Sequence, residues 1–161
     1  MRRPTYRAKA SIAVLILLSS FGFVCTANST SRITDQTLMK RLIIKEARDL
    51  GVSASLALAV AHAESSFNHN AESAKGARGI MQIMPATAIG EYGIEPNLLW
   101  NPRINIRFGL HYLGRLIERY NGRTELALSF YNGGSAVGKP GRARVIPATY
   151  SYVRKVRRLQ S

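Results

Sequence analysis

The chain has 161 residues, enough for one domain with a real core, and its 46% apolar content excludes a disordered polymer. Lys and Arg number 23 against 9 acids, a formal net charge of +14. That balance points to a polyanionic neighbourhood: nucleic acid, anionic lipid or an acidic polymer.

The first segment narrows the choice. "MRRPTYRAKA" carries Arg2, Arg3, Arg7 and Lys9 without an acid, and "SIAVLILLSSFGFVCTA" follows without any charge. A basic head, a short apolar run and small residues ending at Ala27 form a secretory signal pattern over residues 1–27. The same run, about 17 uncharged residues, also sits at the lower limit for an N-terminal membrane anchor. The only cysteine, Cys25, lies in this leader, so a mature chain starting near Asn28 has no thiol for disulfides, zinc–thiolate sites or cysteine nucleophiles. It keeps 19 positive and 9 negative charges, net +10. An exported basic protein meets an envelope polymer or anionic lipid rather than DNA.

Residues 28–37, containing "NSTSRIT", read as a short polar linker, and 38–161 as one domain. "TDQTLMKRLIIKEARDLG" predicts a helix with Leu38, Leu42 or Ile43, and Ala47 at helical spacing, a Thr34 or Asp35 cap and Gly51 as a stop. "SASLALAVAHAES" is apolar on every side, the mark of a buried helix. "NHNAESAKGARG" is polar and glycine-bearing, hence a loop. Pro85 opens the helix "PATAIGEY". Asn101 and Pro102 open a longer one with Ile106, Leu110, Leu113 and Ile117 on one face and Asn121-Gly122 as its close. "TELALSFYNGG" is a short helix running into glycines, "GSAVGKPGRARVI" a loop, and Pro147 starts a last helix, "PATYSYVRKVRRL". No strand pattern stands out, so the fold is mainly α, with five to seven helices.

Between Asp49 and Glu72 the only charged side chain is Glu64, in the last turn of the apolar helix. The helix C-terminus carries partial negative charge, which disfavours an ionised carboxylate there, and apolar neighbours add desolvation. Both effects raise a carboxyl pKa towards the range of a general acid at neutral pH.

Around Glu64 the blocks "AESSFN" and "GIMQIMPATA" (residues 79–88) resemble the soluble lytic transglycosylase family of peptidoglycan-cleaving enzymes. "NPRINIRFGLHYL", "SFYNGG" and "TYSYVRKV" continue that resemblance in order, over residues 38 to 157. It implies a lysozyme-like helical fold that cuts the β-1,4 bond between N-acetylmuramic acid and N-acetylglucosamine and leaves a 1,6-anhydro end, with Glu64 as the acid and then the base. A hydrolytic muramidase, or a peptidoglycan-binding adaptor without turnover, is the alternative. The inventory suits one-carboxylate chemistry: ordinary glycosidases need a second acid at a set distance, and Glu72, Glu91, Glu95, Glu118 and Glu125 all stand in polar settings.

The resemblance further implies that Ser65, opening the block with Glu64, helps bind substrate and that Ser73 contacts the catalytic glutamate. Gln82 would bind sugar, Tyr131 would line the cleft near Glu64, and Asn132 would cap or hold the same loop; Met81 and Met84, three residues apart, have the spacing of core positions, and a thioether there could also form a floor under the sugar. The chain departs from the family pattern at Ile80, at Ser53 in place of a proline, and at Phe130 and Gly133 in place of small Ala-type residues. Ala148 stands where many members carry a glutamate associated with the peptide stem. Compact members serve trans-envelope machines such as conjugation, secretion or pilus systems, so the implied location is the periplasm, free or anchored at the inner membrane.

No cofactor or metal is called for. "HAE" at 62–64 lacks the cysteines of a zinc deaminase, His-Glu-x-x-His is absent, and His62 and His69 are separated by a loop; His111 reads as structural or surface. The leader and the lack of a recognition motif argue against nucleic acid. The run Arg142, Arg144, Arg154, Lys155, Arg157 and Arg158 contains no acid and would attract anionic lipid, polymer or stem carboxylates, or an acidic partner, in a salt-sensitive way.

Overall fold

The computed structural model describes the backbone of residues 21–161 and side chains from Ser31 onward; most of the expected leader, and the side chains around its expected end at Ala27, lie outside the described residues. Six α-helices follow in order: α1 (Phe21–Asp49), α2 (Ala54–Ser65), α3 (Pro85–Tyr92), α4 (Pro102–Arg119), α5 (Thr124–Gly133) and α6 (Tyr150–Gln160). Short 3-10 turns occupy Pro96–Trp100, Gly134–Val137 and Pro147–Thr149. The mainly helical expectation holds, and among the described residues the only extended pairing is two isolated bridges, Glu72 to Arg78 and Arg78 to Ile83. No described helix is long and apolar enough to cross a membrane.

The starts and stops follow local chemistry. The Asn101 side chain accepts from the backbone N–H of Arg103 and Ile104 at 3.0 and 3.2 Å, and Pro102 supplies the fixed φ of a first turn. Gly93, at φ 62°, ends α3 in the left-handed conformation. The start of α1 differs from expectation. Residues 28–37 are helical rather than a linker, and neither Thr34 nor Asp35 is a cap. No glycine or proline occurs between Phe23 and Asp49, so nothing interrupts the helix, and the Thr37 hydroxyl turns back to Ile33 O at 2.9 Å. The face of α1 is also rotated: Leu38 is exposed, while Met39, Ile43 and Ala47 meet the core. Pro147 begins a 3-10 turn that precedes α6.

The core is built around α2. Leu56, Ala57, Ala59, Val60 and Ala61 are buried against Ile43 and Ala47 of α1, Ile106, Leu110 and Leu113 of α4, and Val153 and Val156 of α6. Small alanines let the neighbouring helices approach closely, which explains the composition of the segment. Behind it lies Glu46, fully buried on α1 and gripped by Arg107 at 2.8 Å and Arg103 at 3.2 Å from α4. That acid is held by two cations and ties α1 to α4.

Candidate active site

The second inward-facing acid is treated differently. Glu64 closes α2, half-buried, and its carboxyl Oε1 accepts a 2.6 Å hydrogen bond from the neutral Tyr152 hydroxyl on α6. One turn further along α6, the Lys155 ammonium donates to Ala63 O at 2.8 Å, capping the negative end of α2 from outside. Burial raises the Glu64 pKa from 4.5 to about 7; the Tyr152 bond and the Lys155 charge oppose it without winning. No second carboxylate is among the groups that set this value. Burial also keeps the Tyr152 and Tyr131 phenols protonated, with the Glu64 charge pushing in the same direction. Glu64 is therefore a carboxyl that holds its proton near neutrality and can lose it without a large rearrangement.

The chain turns sharply after Glu64. Ser66 and Phe67 both adopt positive φ, 53° and 65°, and Gln82 does so at 49°. Three of the four such non-glycine residues among those described thus surround this loop, backbone strain concentrated where a site is built. Phe67, buried, anchors the turn beneath Lys40 at 4.7 Å and against His62 at 5.2 Å. The loop from residue 68 to 84 is pinned by Asn105, a fully buried amide of α4. Its Oδ1 accepts from Met81 N–H at 2.8 Å, and its Nδ2 donates to Arg78 O at 2.8 Å and Leu99 O at 3.1 Å. Gly79 passes so close that a Cβ there would stand 2.4 Å from Asn105 Nδ2. Sequence reading did not single out Asn105, although it is the second asparagine of the "NPRIN" block.

The expected site residues are drawn to this region in different capacities. Ser65 Oγ donates to Ile80 O at 2.8 Å, sewing the end of α2 to the loop. Ser73 Oγ accepts from Ala77 N–H at 3.0 Å, while the bond recorded to Glu64 comes from Tyr152. Gln82 uses both amide protons on Ala71 O and Gly79 O, so its Oε1 is what it can present outward. Met81 has no exposed surface; its thioether packs beneath the loop and offers no face to a ligand in this conformation. Tyr131 lies over the same segment, donating to Met81 O at 2.9 Å, beside Tyr112 at 5.8 Å between ring centroids. Asn132 is exposed in the last turn of α5.

Tyr152, the hydroxyl partner of Glu64, is a residue that sequence reading passed over. It stands in the "TYSYVRKV" block, three residues before Lys155 and four before buried Val156, so the helical register already placed it on the inward face. The histidines stand apart from one another: His69 lies 3.3 Å from Asp35, His111 bonds the Tyr92 hydroxyl at 3.0 Å, and His62 packs on Phe67. Among the described residues no group of three metal-ligating side chains forms. The basic run at the C-terminus is less free of acid than its sequence, since Glu125 of α5 approaches Arg157 at 3.3 Å.

Residues 41–145 match the model of the transglycosylase SLT domain. Over 110 residues the chain is 34% identical to the soluble lytic murein transglycosylase of Salmonella typhimurium, covering 64% of this chain and 16% of that protein. It is 35% identical over 109 residues to the membrane-bound lytic murein transglycosylase C of Salmonella arizonae, covering 58% of this chain and 30% of that protein. Among solved structures, an inactive glutamate-to-glutamine mutant of the lytic transglycosylase Slt of Pseudomonas aeruginosa matches with a TM-score of 0.65 at 29% identity, covering 74% of this chain and 23% of that chain. The 70 kDa soluble lytic transglycosylase of Escherichia coli matches at 0.64 and 28%, with the same coverages. The chain spans less than a third of the length of these relatives.

Proposed function

Because this chain belongs to the transglycosylase SLT domain family, we propose that it is a peptidoglycan lytic transglycosylase, with residues 38–161 as its catalytic domain and Glu64 as its single acid–base group. The observation that carries this reading is a lone carboxyl, pushed up to about 7 by burial, at the end of a core helix and bonded to a phenol rather than a cation. A retaining or inverting glycosidase would set a second carboxylate about 5 to 10 Å away. At the near end of that range its charge would be felt by Glu64, and none is.

In the reaction, protonated Glu64 gives its proton to the glycosidic oxygen as the C1–O bond breaks. The resulting carboxylate then takes the proton of the muramic acid C6 hydroxyl while O6 bonds to C1. Glu64 ends protonated, no water is consumed, and the product carries a 1,6-anhydro ring. Tyr152 holds the carboxyl in place and stabilises its transient charge. Gln82 Oε1, Tyr131, Ser73 and Asn132 are the polar groups assigned to the glycan, and Ser65 and Met81 support the loop that presents them.

The leader pattern supports export to the periplasm, and the exposed cations of α6 suit an anionic inner-membrane surface or an acidic component of a secretion, conjugation or pilus apparatus. The test is mass spectrometry of muropeptides released from purified sacculi by the chain without residues 1–27. Anhydro ends from the wild type and none from Glu64→Gln support the reading. Reducing ends make it a hydrolase, and release by both proteins removes Glu64 from the chemistry.

A further inference from the structure

Past Tyr131 the aromatic wall continues to Tyr112, which borders a recess of about 110 Å³ shared with Glu91, Arg115, Leu116, Arg119 and Phe130. Tyr112, Arg115 and Arg119 stand at i, i+3 and i+7, so one stripe of α4 faces the recess. Its two guanidiniums differ in state. Arg115 Nη1 lies 2.8 Å from Glu91 Oε2, and that pair is balanced. Arg119 has no carboxylate partner among the described residues; its guanidinium lies over Phe130 at 5.2 Å and Tyr120 at 5.8 Å.

Stacking fixes the plane of a guanidinium and leaves its N–H edge available, which prepares it for an oxyanion at little further entropic cost. Two cations against one acid leave one positive charge unbalanced. The volume admits a group of a few heavy atoms.

We propose that this recess is a specificity pocket for a carboxylate of the peptide stem carried by the glycan strand. The inference rests on the transglycosylase reading for the identity of the polymer. A carboxylate on the sugar being cut would sit beside Glu64, whereas the recess lies two tyrosine rings further on, a reach that fits a side branch. The guanidinium of Arg119, free of a carboxylate partner among the described residues and held over Phe130, has the charge to take a carboxylate of that branch.

The experiment measures binding in the Glu64→Gln background, where the polymer is not consumed. Soluble glycan strands with stems are compared with the same strands after amidase treatment, which removes the stems and leaves free lactyl carboxylates. Stem-bearing strands should bind about three- to tenfold tighter, the scale of one charge-assisted contact in a partly exposed site. Adding Arg119→Gln should bring the ratio to about one, while Arg48→Gln, the same charge change in the last turn of α1, keeps it. Thermal denaturation confirms that each variant is folded, and Arg119→Lys, which keeps the charge without the planar fork, should retain only part of the preference.

Equal affinity for the two polymers, a preference that survives Arg119→Gln, or no binding to either overturns the proposal. Equal weakening on both polymers by Arg119→Gln assigns the recess to lactyl carboxylates and overturns it as well. Product analysis with Glu64 intact stands apart from these results. A stem preference without anhydro products keeps the pocket and removes the enzyme.

Discussion

Replacing Glu64 by Gln should alter the pH dependence of stability more than stability in acid. In the folded chain burial raises this carboxyl from 4.5 to about 7, against the smaller opposing effects of Tyr152 and Lys155. Unfolded, it titrates at its ordinary value. Below that value both states hold the proton and the shift contributes nothing. Between 4.5 and about 7 the unfolded chain has released a proton that the folded chain keeps, so stability falls as pH rises, and above about 7 the loss is complete. At about 1.4 kcal/mol per pH unit the window amounts to about 3 kcal/mol, or about 2 after allowance for the solvent that reaches a half-buried group. Glutamine has the same shape, can still accept the Tyr152 bond, and has no proton to lose. Urea denaturation of both proteins, compared from about pH 4 to about pH 8.5, should show the difference moving by about 2 kcal/mol in favour of the variant. Other titrating groups cancel in that comparison. A difference that stays flat, or moves in favour of the wild type, would refute the reasoning.

Tyr152→Phe removes the 2.6 Å bond that favours the ionised carboxyl, so the Glu64 pKa should rise further. The alkaline limb of the pH–rate profile should move up, with a rate loss of about tenfold from the less well-held group. Lys155→Met removes the contact with Ala63 O and the nearby charge. Its pH–rate limb should move the same way by less, and chemical denaturation should show a loss of about 0.5 to 1 kcal/mol from the uncapped end of α2. Gly79→Ala brings a Cβ to 2.4 Å from Asn105 Nδ2 and 2.8 Å from Leu99 O at φ +74°. It should cost about 2 kcal/mol or more and displace the loop carrying Gln82, lowering activity with it. Circular dichroism melts and turnover on sacculi check both effects.

The helices were legible because their caps and apolar spacings are local: Asn101-Pro102, Gly93 and the Ile106–Leu113 face each speak through a few neighbouring residues. Glu64 was legible because its isolation among apolar residues already carries the sign of its pKa shift. Less visible was anything that depends on which helices meet. Tyr152 reaches Glu64 across 88 positions, and Asn105 reaches the loop at Met81 across 24; neither distance has a periodicity to read. Met81 illustrates the converse. Its spacing from Met84 allowed either a core position or a floor under the sugar, and the close approach of Gly109 selects the core, where an added Cβ on that glycine would sit 2.5 Å from it. The extension of α1 through the polar stretch before residue 38 was missed because Ser, Thr and Asn favour caps and turns, a preference that an unbroken helix overrides.

The central claim is that Glu64 holds its proton at neutrality, and carboxyl-labelled ¹³C-glutamate NMR tests it directly. Titration of the wild type, with Glu64→Gln to assign the signal, should show one glutamate carboxyl with its midpoint at about 7. In Tyr152→Phe the same signal should titrate higher. A midpoint near the ordinary 4.5 would mean that Glu64 is ionised before substrate arrives, and the acid–base account built on it would be wrong.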